Sequence, residues 1–414
     1  MSVMRSKYVV SSWLVVGALF ATACGAEGGD DGAEDAVNDT ADGAAAEDDG
    51  ADDGESLTVT AGLIGPESSP AALYWTELDR GFELGAEVAQ ERYGVTYESV
   101  QRDTRGEPER AAQLIQELLN EEQVDVIFGP SLSGEALQVA PVIQRTGRPW
   151  MTGIPVADAI IDYGEQPNWA FRTNYNNEQT IEAIGDVAFG DGQSVAMLYG
   201  TDGFGQAGFD AVSAWAEANG HDIVSAEGID PGSPDMTPQL NRVDDAGADT
   251  IVSWFTTGSD QATMMRGIEQ LDLDVDVVTQ ATVLDPAFVD LATPEQWEGM
   301  VFPAPMDFES DALQDLVAEY EERYGEPPLV ITGVWAVYAS TLLYAQAVSE
   351  VGDPSDYEAV RQAIEDTSEL EILGQTFSDP FSEDDHELFD LDGWFLYEYD
   401  ADGELVNLGP AVTS

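Results

Sequence analysis

The chain has 414 residues, of which 81 are Asp or Glu and 14 are Lys or Arg, so its formal net charge is −67 at pH 7. Such a charge repels nucleic acids and anionic lipid surfaces, which argues against a nucleic-acid-binding protein. The single cysteine excludes a disulfide within the chain. Two interpretations of the acidity stay open: a solvated surface suited to a saline habitat, or a surface that recruits cations or basic partners.

The first 24 residues have the layout of an export signal. Two basic residues precede a mostly apolar run from Tyr8 to Ala21, which is short for a membrane span, and small residues lead to Cys24. The last four residues of this stretch resemble a bacterial lipobox, although an alanine stands where that motif prefers leucine. The resemblance implies that residues 1–23 are a signal peptide and that Cys24 becomes the lipidated first residue of the mature protein. The alternative is a buried or incidental thiol.

An acidic, glycine-rich segment follows. Residues 25–55 contain 13 Asp or Glu and no Lys or Arg. Such a composition cannot bury enough apolar surface to offset the entropy of ordering. We therefore predict that residues 24–55 form the lipidated cysteine and a disordered tether with a reach of roughly 30 Å. The chain beyond residue 55 keeps 68 acidic residues and 12 arginines, a net charge of −56.

The body from Ser56 onward is long enough for two domains, and short apolar runs alternate with amphipathic segments along it. The predicted strands are Leu57–Leu63, Val95–Val100, Val124–Phe128, Ser194–Leu198, Thr250–Trp254, Val275–Thr279 and Trp394–Tyr399. The predicted helices are Leu78–Tyr93, Pro108–Asn120, Glu135–Arg145, Glu178–Phe189, Gln206–Ala218, Asp260–Leu271, Ala312–Tyr324, Trp335–Val351 and Tyr357–Asp366. This alternation predicts an α/β protein whose parallel sheets are covered by helices on both faces.

Two strand-to-helix turns resemble each other in composition. One predicted strand runs into the hydroxyl-rich turn Pro130 to Gly134, and another runs into the turn Thr256 to Ser259. In open α/β sheets, ligands lie beyond the carboxyl ends of the strands, where free N–H groups of the following helix point outward. Two such turns, one in each domain, could close on a ligand from both sides. Ordinary helix capping by Ser133 or Ser259 is the other interpretation.

No arrangement of residues in the sequence indicates catalysis. Both histidines, His221 and His386, lie in polar, turn-like surroundings, and we predict that both are surface residues. Gly129 to Ser133 is not the nucleophile elbow G-x-S-x-G, because Ser133 occupies the position of the final glycine. The sequence has no phosphate loop and no cysteine pairs or histidine clusters for zinc. We therefore predict a protein that is not an enzyme and that needs no cofactor or metal.

A series of short motifs runs through the body in a characteristic order. These are Gly65-Pro66, Gly81 to Ala86, Asp103, Pro108, Ala111, Gly129-Pro130, Ser133, Pro149 to Thr152, Phe171 to Thr173, Asp202 to Gly205 and Val334 to Ala339. Together they resemble the type I periplasmic solute-binding proteins, in the branched-chain amino-acid (Leu/Ile/Val) group that feeds ABC importers. The resemblance covers essentially everything from Leu57 to the end of the chain.

This family implies two Rossmann-like lobes with parallel sheets, joined by three hinge crossings and closing around a ligand. We place the crossings near Arg172–Asn177, Phe302–Met306 and Gly374–Phe377. Lobe 1 then comprises residues 57–173 plus 303–374, and lobe 2 comprises residues 174–302 plus 375–414. Ligand contacts made only in the closed state drive the closure.

The resemblance also implies a ligand site. Ser131 and Ser133 match the serine turn that holds a ligand carboxylate, and the remaining predicted contacts are Trp75, Ile154, Val156, Phe204, Thr257 and Gln280. An acidic anchor for a ligand ammonium is expected near Gln280, but no carboxylate stands there; Asp285 is nearby only if the register slips. Because an unpaired ammonium is costly to bury, we expect a small carboxylate, an amide or an aromatic compound, or an amino acid held by a relocated acid.

The sequence therefore predicts an extracytoplasmic lipoprotein that captures a small ligand, such as an amino acid, amide or small carboxylate. It would deliver this ligand to the permease subunits of an ABC importer, as a monomer that touches the membrane through its lipid anchor. Two other functions stay open. The protein could be a sensor that presents its bound solute to a membrane receptor, or a cell-surface hydrolase.

Overall fold

The computed structural model describes residues 57–161, 166–391 and 393–411; the predicted signal peptide, Cys24 and the tether lie outside them. The strands are β1 Leu57–Gly65, β2 Val95–Asp103, β3 Val126–Phe128, β4 Trp150–Thr152, β5 Ala170–Arg172, β6 Val195–Gly200, β7 Ile223–Ile229, β8 Thr250–Trp254, β9 Asp276–Val278, β10 Val301–Ala304, β11 Glu369–Ile372, β12 Gln375–Ser378, β13 Phe395–Tyr399 and β14 Leu405–Pro410. The helices are α1 Ala72–Tyr93, α2 Pro108–Asn120, α3 Ser133–Gln144, α4 Asn177–Phe189, α5 Gly203–Asn219, α6 Thr237–Asp245, α7 Gly258–Leu271, α8 Pro286–Leu291, α9 Pro294–Trp297, α10 Asp311–Tyr324, α11 Ile331–Val351 and α12 Tyr357–Glu365.

The first sheet has the strand order β2-β1-β3-β4-β5, and all its pairs are parallel. Neighbouring residues of one strand point to opposite faces. Thus Leu63 packs in a hydrophobic cluster with α1 and α11, whereas Ile64 packs in another with α2 and α3. The sheet is therefore covered by helices on both faces, as the sequence predicts.

The second sheet has the order β14-β13-β10-β9-β8-β6-β7. Its strands are parallel from β10 to β7, while β13 and β14 pair antiparallel at one edge. Leu198 belongs to a cluster with α6 and α7, and Met197 to one with α4 and α5. Two α/β lobes with parallel sheets are thus confirmed, and the antiparallel edge is an addition that the sequence analysis did not predict.

The third crossing lies elsewhere than predicted. The segment Gly374–Phe377 sits in a hairpin, since β12 pairs antiparallel with β11. Phe381 and Phe389, farther along, still pack in the cluster that covers the first sheet. The predicted position of the third crossing is therefore wrong, because these residues form part of a hairpin. The limits of the two lobes stay a prediction, and the packing of Phe389 favours a last boundary beyond that residue.

A buried ion pair holds this late segment against the first sheet. Arg172, the last residue of β5, is fully buried, and its Nε lies 3.0 Å from Oε2 of Glu387. The backbones are joined as well, because Arg172 N–H donates to the His386 carbonyl at 2.9 Å and Leu388 N–H donates to the Arg172 carbonyl at 2.9 Å. The chain thus passes beside the first crossing before it enters the second lobe.

His386 is buried, which contradicts the prediction that it is a surface residue. Its ring stacks on Phe171 with centroids 4.1 Å apart, Nδ1 lies 2.7 Å from the Ala170 carbonyl, and Nε2 lies 3.1 Å from a carboxylate oxygen of Glu365. Desolvation lowers the pKa of His386. The polar residues around it in sequence gave no sign of the aromatic surface that covers it in the fold. His221 is exposed, as predicted.

One described helix, α11, is long and apolar enough to cross a membrane, with 89% of its most apolar window buried inside the protein. It packs along α1 in the main hydrophobic cluster. Gly81 and Gly85 of α1 face it, and a Cβ at Gly81 would lie 2.7 Å from the carbonyl oxygen of Val334. Close packing against the first sheet accounts for the apolar character of this helix.

The buried pair between Arg172 and Glu387 generates a stability prediction. Glu387→Gln removes the ion-paired carboxylate from a desolvated guanidinium, so we expect the free energy of unfolding to fall by about 3 kcal/mol. Urea denaturation at pH 7 measures it. As a matched control, Glu326→Gln breaks the exposed pair with Arg80, at 3.0 Å, and should cost less than about 1 kcal/mol. Equal losses in the two variants would contradict the proposed role of burial.

Candidate functional site

A cavity of about 410 Å³ lies where the carboxyl ends of strands from both sheets meet. Its wall combines turns of the first lobe, turns of the second lobe and the first crossing. The residues that line it include Tyr74, Ser131, Leu132, Ser133, Gly134, Glu135, Ile154, Val156, Asn174, Tyr175, Asp202, Gly203, Phe204, Thr256, Gln280 and Thr282. Both hydroxyl-rich turns that the sequence singles out therefore reach one cavity.

A larger cavity, of about 620 Å³, lies between the β11–β12 hairpin and the segment that leads to β13. Neither hydroxyl-rich turn contributes to its wall. The cavity between the strand ends is the better candidate, because ligands of open α/β sheets bind at those ends.

Six of the eight predicted contacts line the candidate cavity: Ser131, Ser133, Ile154, Val156, Phe204 and Gln280. Trp75 and Thr257 do not, and in both cases the preceding residue, Tyr74 or Thr256, lines it instead. Successive residues of a helix point about 100° apart, so an error of one residue turns a side chain away. Trp75 packs in the first-lobe core, and Thr257 caps α7 by accepting from the Asp260 N–H at 3.3 Å.

The serine turn follows β3 through a tight backbone bend at Gly129. Gly129 has φ +86°, and a Cβ there would lie 2.2 Å from the Ile64 carbonyl oxygen, so only glycine fits. The Ser131 hydroxyl donates to the Tyr74 carbonyl at 3.1 Å, whereas the Ser133 hydroxyl accepts from the Val156 N–H at 3.3 Å. The Ser131 hydroxyl thus donates its hydrogen bond within the protein, whereas the Ser133 hydroxyl acts here as an acceptor and can still donate one hydrogen bond.

The second-lobe wall around Gln280 is internally satisfied. The Gln280 amide donates to the Phe255 carbonyl at 3.0 Å and accepts from the Thr282 N–H at 2.7 Å. Asp285 is buried and accepts from the Gly258 N–H at 2.8 Å and the Ala287 N–H at 2.9 Å. The Gln280 amide is therefore occupied within the protein, and Asp285 is not among the residues that line the cavity, so neither is placed to anchor a ligand ammonium.

Two other carboxylates belong to the cavity wall. Asp202 caps α5 by accepting from the Gly205 N–H at 2.9 Å and also accepts from the Thr256 hydroxyl at 2.5 Å. A carboxylate has about four acceptor sites, so Asp202 retains capacity for a ligand. Glu135 is only 1% exposed, and burial raises its pKa to about 7 against the opposing effect of the nearby Thr104 hydroxyl and Leu132 N–H.

The residues that line the cavity include no Lys, Arg or His. A ligand anion there must rely on hydroxyl groups and on the N–H groups at the start of α3, whereas a ligand cation has Asp202 nearby. Within the described ranges, no group of three or more His, Cys, Asp or Glu side chains could hold a metal ion. The wall is therefore built for hydrogen bonds and apolar contact.

Among the described residues, the contacts between the lobes beside the cavity include a glycine pair and a hydrogen bond. Gly134, at the start of α3, meets Gly203, at the start of α5: a Cβ on Gly203 would lie 2.4 Å from Gly134 Cα. The Tyr74 hydroxyl of the first lobe donates to the Thr256 carbonyl of the second lobe at 2.9 Å. The structure is thus a closed form of the cleft.

Aromatic side chains line the part of the cavity near the hinge. Tyr175 of the first crossing packs edge-on against Trp394 with ring centroids 5.4 Å apart, and Phe204 belongs in part to the same small cluster. Asn174 and Tyr175 lie within the predicted crossing Arg172–Asn177, yet the sequence analysis gave them no role in binding. Their place in a crossing segment was the available signal, because a crossing has to pass along the floor of the cleft.

A sequence profile of the periplasmic binding protein family matches residues 58–404. The Leu/Ile/Val-binding protein homolog 6 of Brucella abortus is 26% identical over 208 residues, which cover 48% of this chain and 51% of that protein. The chain thus spans about half the length of the Brucella relatives it matches.

Solved structures share the fold. The branched-chain amino-acid substrate-binding protein LivJ of Streptococcus pneumoniae, in complex with isoleucine, has a TM-score of 0.71 at 18% identity, with 85% of this chain and 100% of that chain covered. A solute-binding protein of Rhodopseudomonas palustris in complex with 4-hydroxybenzoate has a TM-score of 0.73 at 22% identity, with 85% and 96% covered. The chain belongs to the periplasmic binding protein family.

Proposed function

We propose that this protein is an extracytoplasmic solute-binding protein that captures a small ligand between its lobes and delivers it to an ABC importer. The observation that carries the proposal is the cavity of about 410 Å³ whose wall is supplied by strand-end turns of both lobes. A ligand that contacts both walls binds the closed form better than the open form, and this difference drives closure. A permease can then distinguish the loaded protein from the empty one.

The wall favours an amino acid or an amide over a simple organic acid. Ser133 and the N–H groups at the start of α3 suit a carboxylate or carbonyl oxygen. Asp202 suits an ammonium or amide N–H, and no cationic side chain lines the cavity to balance a ligand with net negative charge. Asp202 is thus the relocated acid that an amino-acid ligand would need. The side chains of Ile154, Val156 and Phe204 suit an apolar or aromatic ligand body.

The N-terminal segment supports a location at the outer face of the membrane. Members of this family work outside the cytoplasm, and the lipobox-like residues before Cys24 favour attachment by acyl chains. Residues 24–55 would then serve as a tether that lets a monomeric body reach the permease. One acyl chain binds a membrane only marginally, so stable attachment requires more than one.

One test of the proposed function concerns the serine turn. Ser133→Ala removes a hydroxyl donor from the wall, so we expect affinity for the ligand to fall about fivefold, the value of a typical hydrogen bond. Calorimetry with L-isoleucine, L-leucinamide and 4-hydroxybenzoate measures this, after a thermal-shift screen has ranked them. Ser259→Ala is the matched control, because Ser259 lies at the start of α7, outside the cavity wall. Unchanged affinity in Ser133→Ala contradicts the assigned ligand contact.

The second prediction concerns closure. Gly203→Ala places a methyl group 2.4 Å from Gly134 Cα, so the lobes must stay apart and ligand affinity should fall about tenfold or more. Small-angle scattering should show that ligand no longer compacts this variant. Gly134→Ala should have a much smaller effect, since its Cβ would lie 3.5 Å from Gly203 N and 3.6 Å from Gly203 Cα. If both variants compact like the wild type, the closed form described above is not the ligand-bound one.

The third prediction concerns anchoring. Cys24→Ser removes the only thiol in the chain and with it the acceptor for a thioether-linked lipid. We expect the variant to lose incorporation of radiolabelled palmitate and to leave the membrane fraction when produced in a bacterium that processes lipoproteins. Wild-type protein that carries no label would refute the lipoprotein assignment.

A further inference from the structure

The Tyr74 side chain crosses the cleft. Tyr74 belongs to α1 of the first lobe, and its hydroxyl donates to the Thr256 carbonyl oxygen of the second lobe at 2.9 Å. Thr256 lies two residues beyond β8, at the carboxyl end of that strand. Because Tyr74 is in the first lobe and Thr256 is in the second, opening of the lobes would break this bond.

The same residue connects the turns that form the cavity wall. The Tyr74 carbonyl accepts from Ser131 of the serine turn at 3.1 Å. On the other side, the Thr256 hydroxyl donates to Asp202 at 2.5 Å, and Asp202 accepts from the Gly205 N–H at 2.9 Å. One chain of hydrogen bonds therefore runs from the serine turn through Tyr74 to two turns of the second lobe.

The donor at the centre of this chain keeps its proton. Burial, followed by the charge of Asp285, raises the pKa of the Tyr74 hydroxyl well above its usual range. A neutral hydroxyl bonded to a neutral carbonyl carries no net charge, so ionic strength hardly screens it. We therefore expect the hydrogen bond between Tyr74 and Thr256 to persist at salt concentrations that screen the charges of the acidic surface groups.

We propose that Tyr74 is an interlobe latch, a positioning residue that fastens the closed form by bonding the Thr256 carbonyl and so sets how long any bound solute stays. The inference rests on the proposed solute-binding function and adds to it. The polar groups proposed to contact the ligand, Ser133 and Asp202, are distinct from the Tyr74 hydroxyl that bonds the second lobe, so the latch affects the residence time of a bound solute more than its selection.

The test compares two tyrosines that make the same kind of bond. Tyr74→Phe keeps the ring and removes the hydroxyl, whereas Tyr97→Phe removes a hydroxyl that donates to the Thr341 carbonyl at 2.8 Å within the first lobe. For the best binder among L-isoleucine, L-leucinamide and 4-hydroxybenzoate, we expect Tyr74→Phe to raise the dissociation rate about 3- to 10-fold. The association rate should change much less than the dissociation rate, because the Tyr74 hydroxyl is bonded to the Thr256 carbonyl. Tyr97→Phe should leave the dissociation rate unchanged and lower the melting temperature instead.

A second measurement needs no ligand. Because Cys24 is the only cysteine, the full chain with Cys24→Ser accepts two fluorophores at introduced cysteines, Glu91→Cys in the first lobe and Leu291→Cys in the second, both at exposed positions. Single-molecule energy transfer then reports the closed fraction. Tyr74→Phe should reduce this fraction relative to the wild type, and Tyr97→Phe should not.

The two hypotheses fail differently. Identical energy-transfer histograms and dissociation rates for Tyr74→Phe and the wild type overturn the latch, even if ligands bind well. A reduced closed fraction in Tyr74→Phe supports the latch whether or not a compound is found that binds. If no compound in a broad panel of amino acids, amides and small acids shifts the wild-type histogram, the solute-binding proposal fails instead.

Discussion

The closed cleft depends on a place where two backbones meet with no side chain between them. Gly134 and Gly203 begin helices in different lobes, and even a methyl group on Gly203 would collide with Gly134. Helix N-termini carry free N–H groups, so this contact brings the two parts of the fold that suit electron-rich ligand groups to within a few ångströms of each other. The size of the cavity follows from that approach, because a bulkier contact would hold the lobes apart and admit water.

Electrostatics explains why the lobes meet through neutral groups. The part of the chain beyond residue 55 has a net charge of −56 and no lysine, so interlobe salt bridges have few cations to draw on. The described contacts at the cleft are a glycine pair and a hydroxyl–carbonyl bond, neither of which adds to the repulsion between acidic surfaces. Charge pairing is used instead at the hinge, where Arg172 and Glu387 join β5 to the late segment. The segment beside the hinge is thus held by a buried ion pair, whereas the contact between the lobes relies on neutral groups.

Much of this fold could be predicted from sequence, because long helices and buried strands carry a clear periodicity. The predicted bounds of α2 are those of the structure, and β8 was predicted without error. The three-residue strands β4 and β5 were missed, since so short a run shows no period, and β11–β12 was taken for a crossing. His386 was misjudged because its partners, Phe171 and Glu365, are distant in sequence and meet it only in the fold.

The residues of the cavity, too, were predicted only in part. Glycine and serine spacing indicated the serine turn, since only certain residues permit that backbone. The first-lobe aromatic and the second-lobe threonine were misplaced by one position, because both came from the family resemblance, which aligns a position only to within about a residue. The protein itself uses most of the hydrogen-bonding capacity of the wall, as Gln280 and Ser131 illustrate.

The polar groups left for a ligand include the Ser133 hydroxyl, the remaining acceptor sites of Asp202 and the buried Glu135 carboxyl. The shape of the apolar wall around Ile154, Val156 and Phe204 adds a second basis for ligand choice. A single substitution in that wall changes its shape without disturbing the serine turn, the glycine contact or the hinge pair. The fold can therefore keep its cleft while the shape of the wall changes, which is why overall resemblance at this level of identity indicates the fold and not the solute.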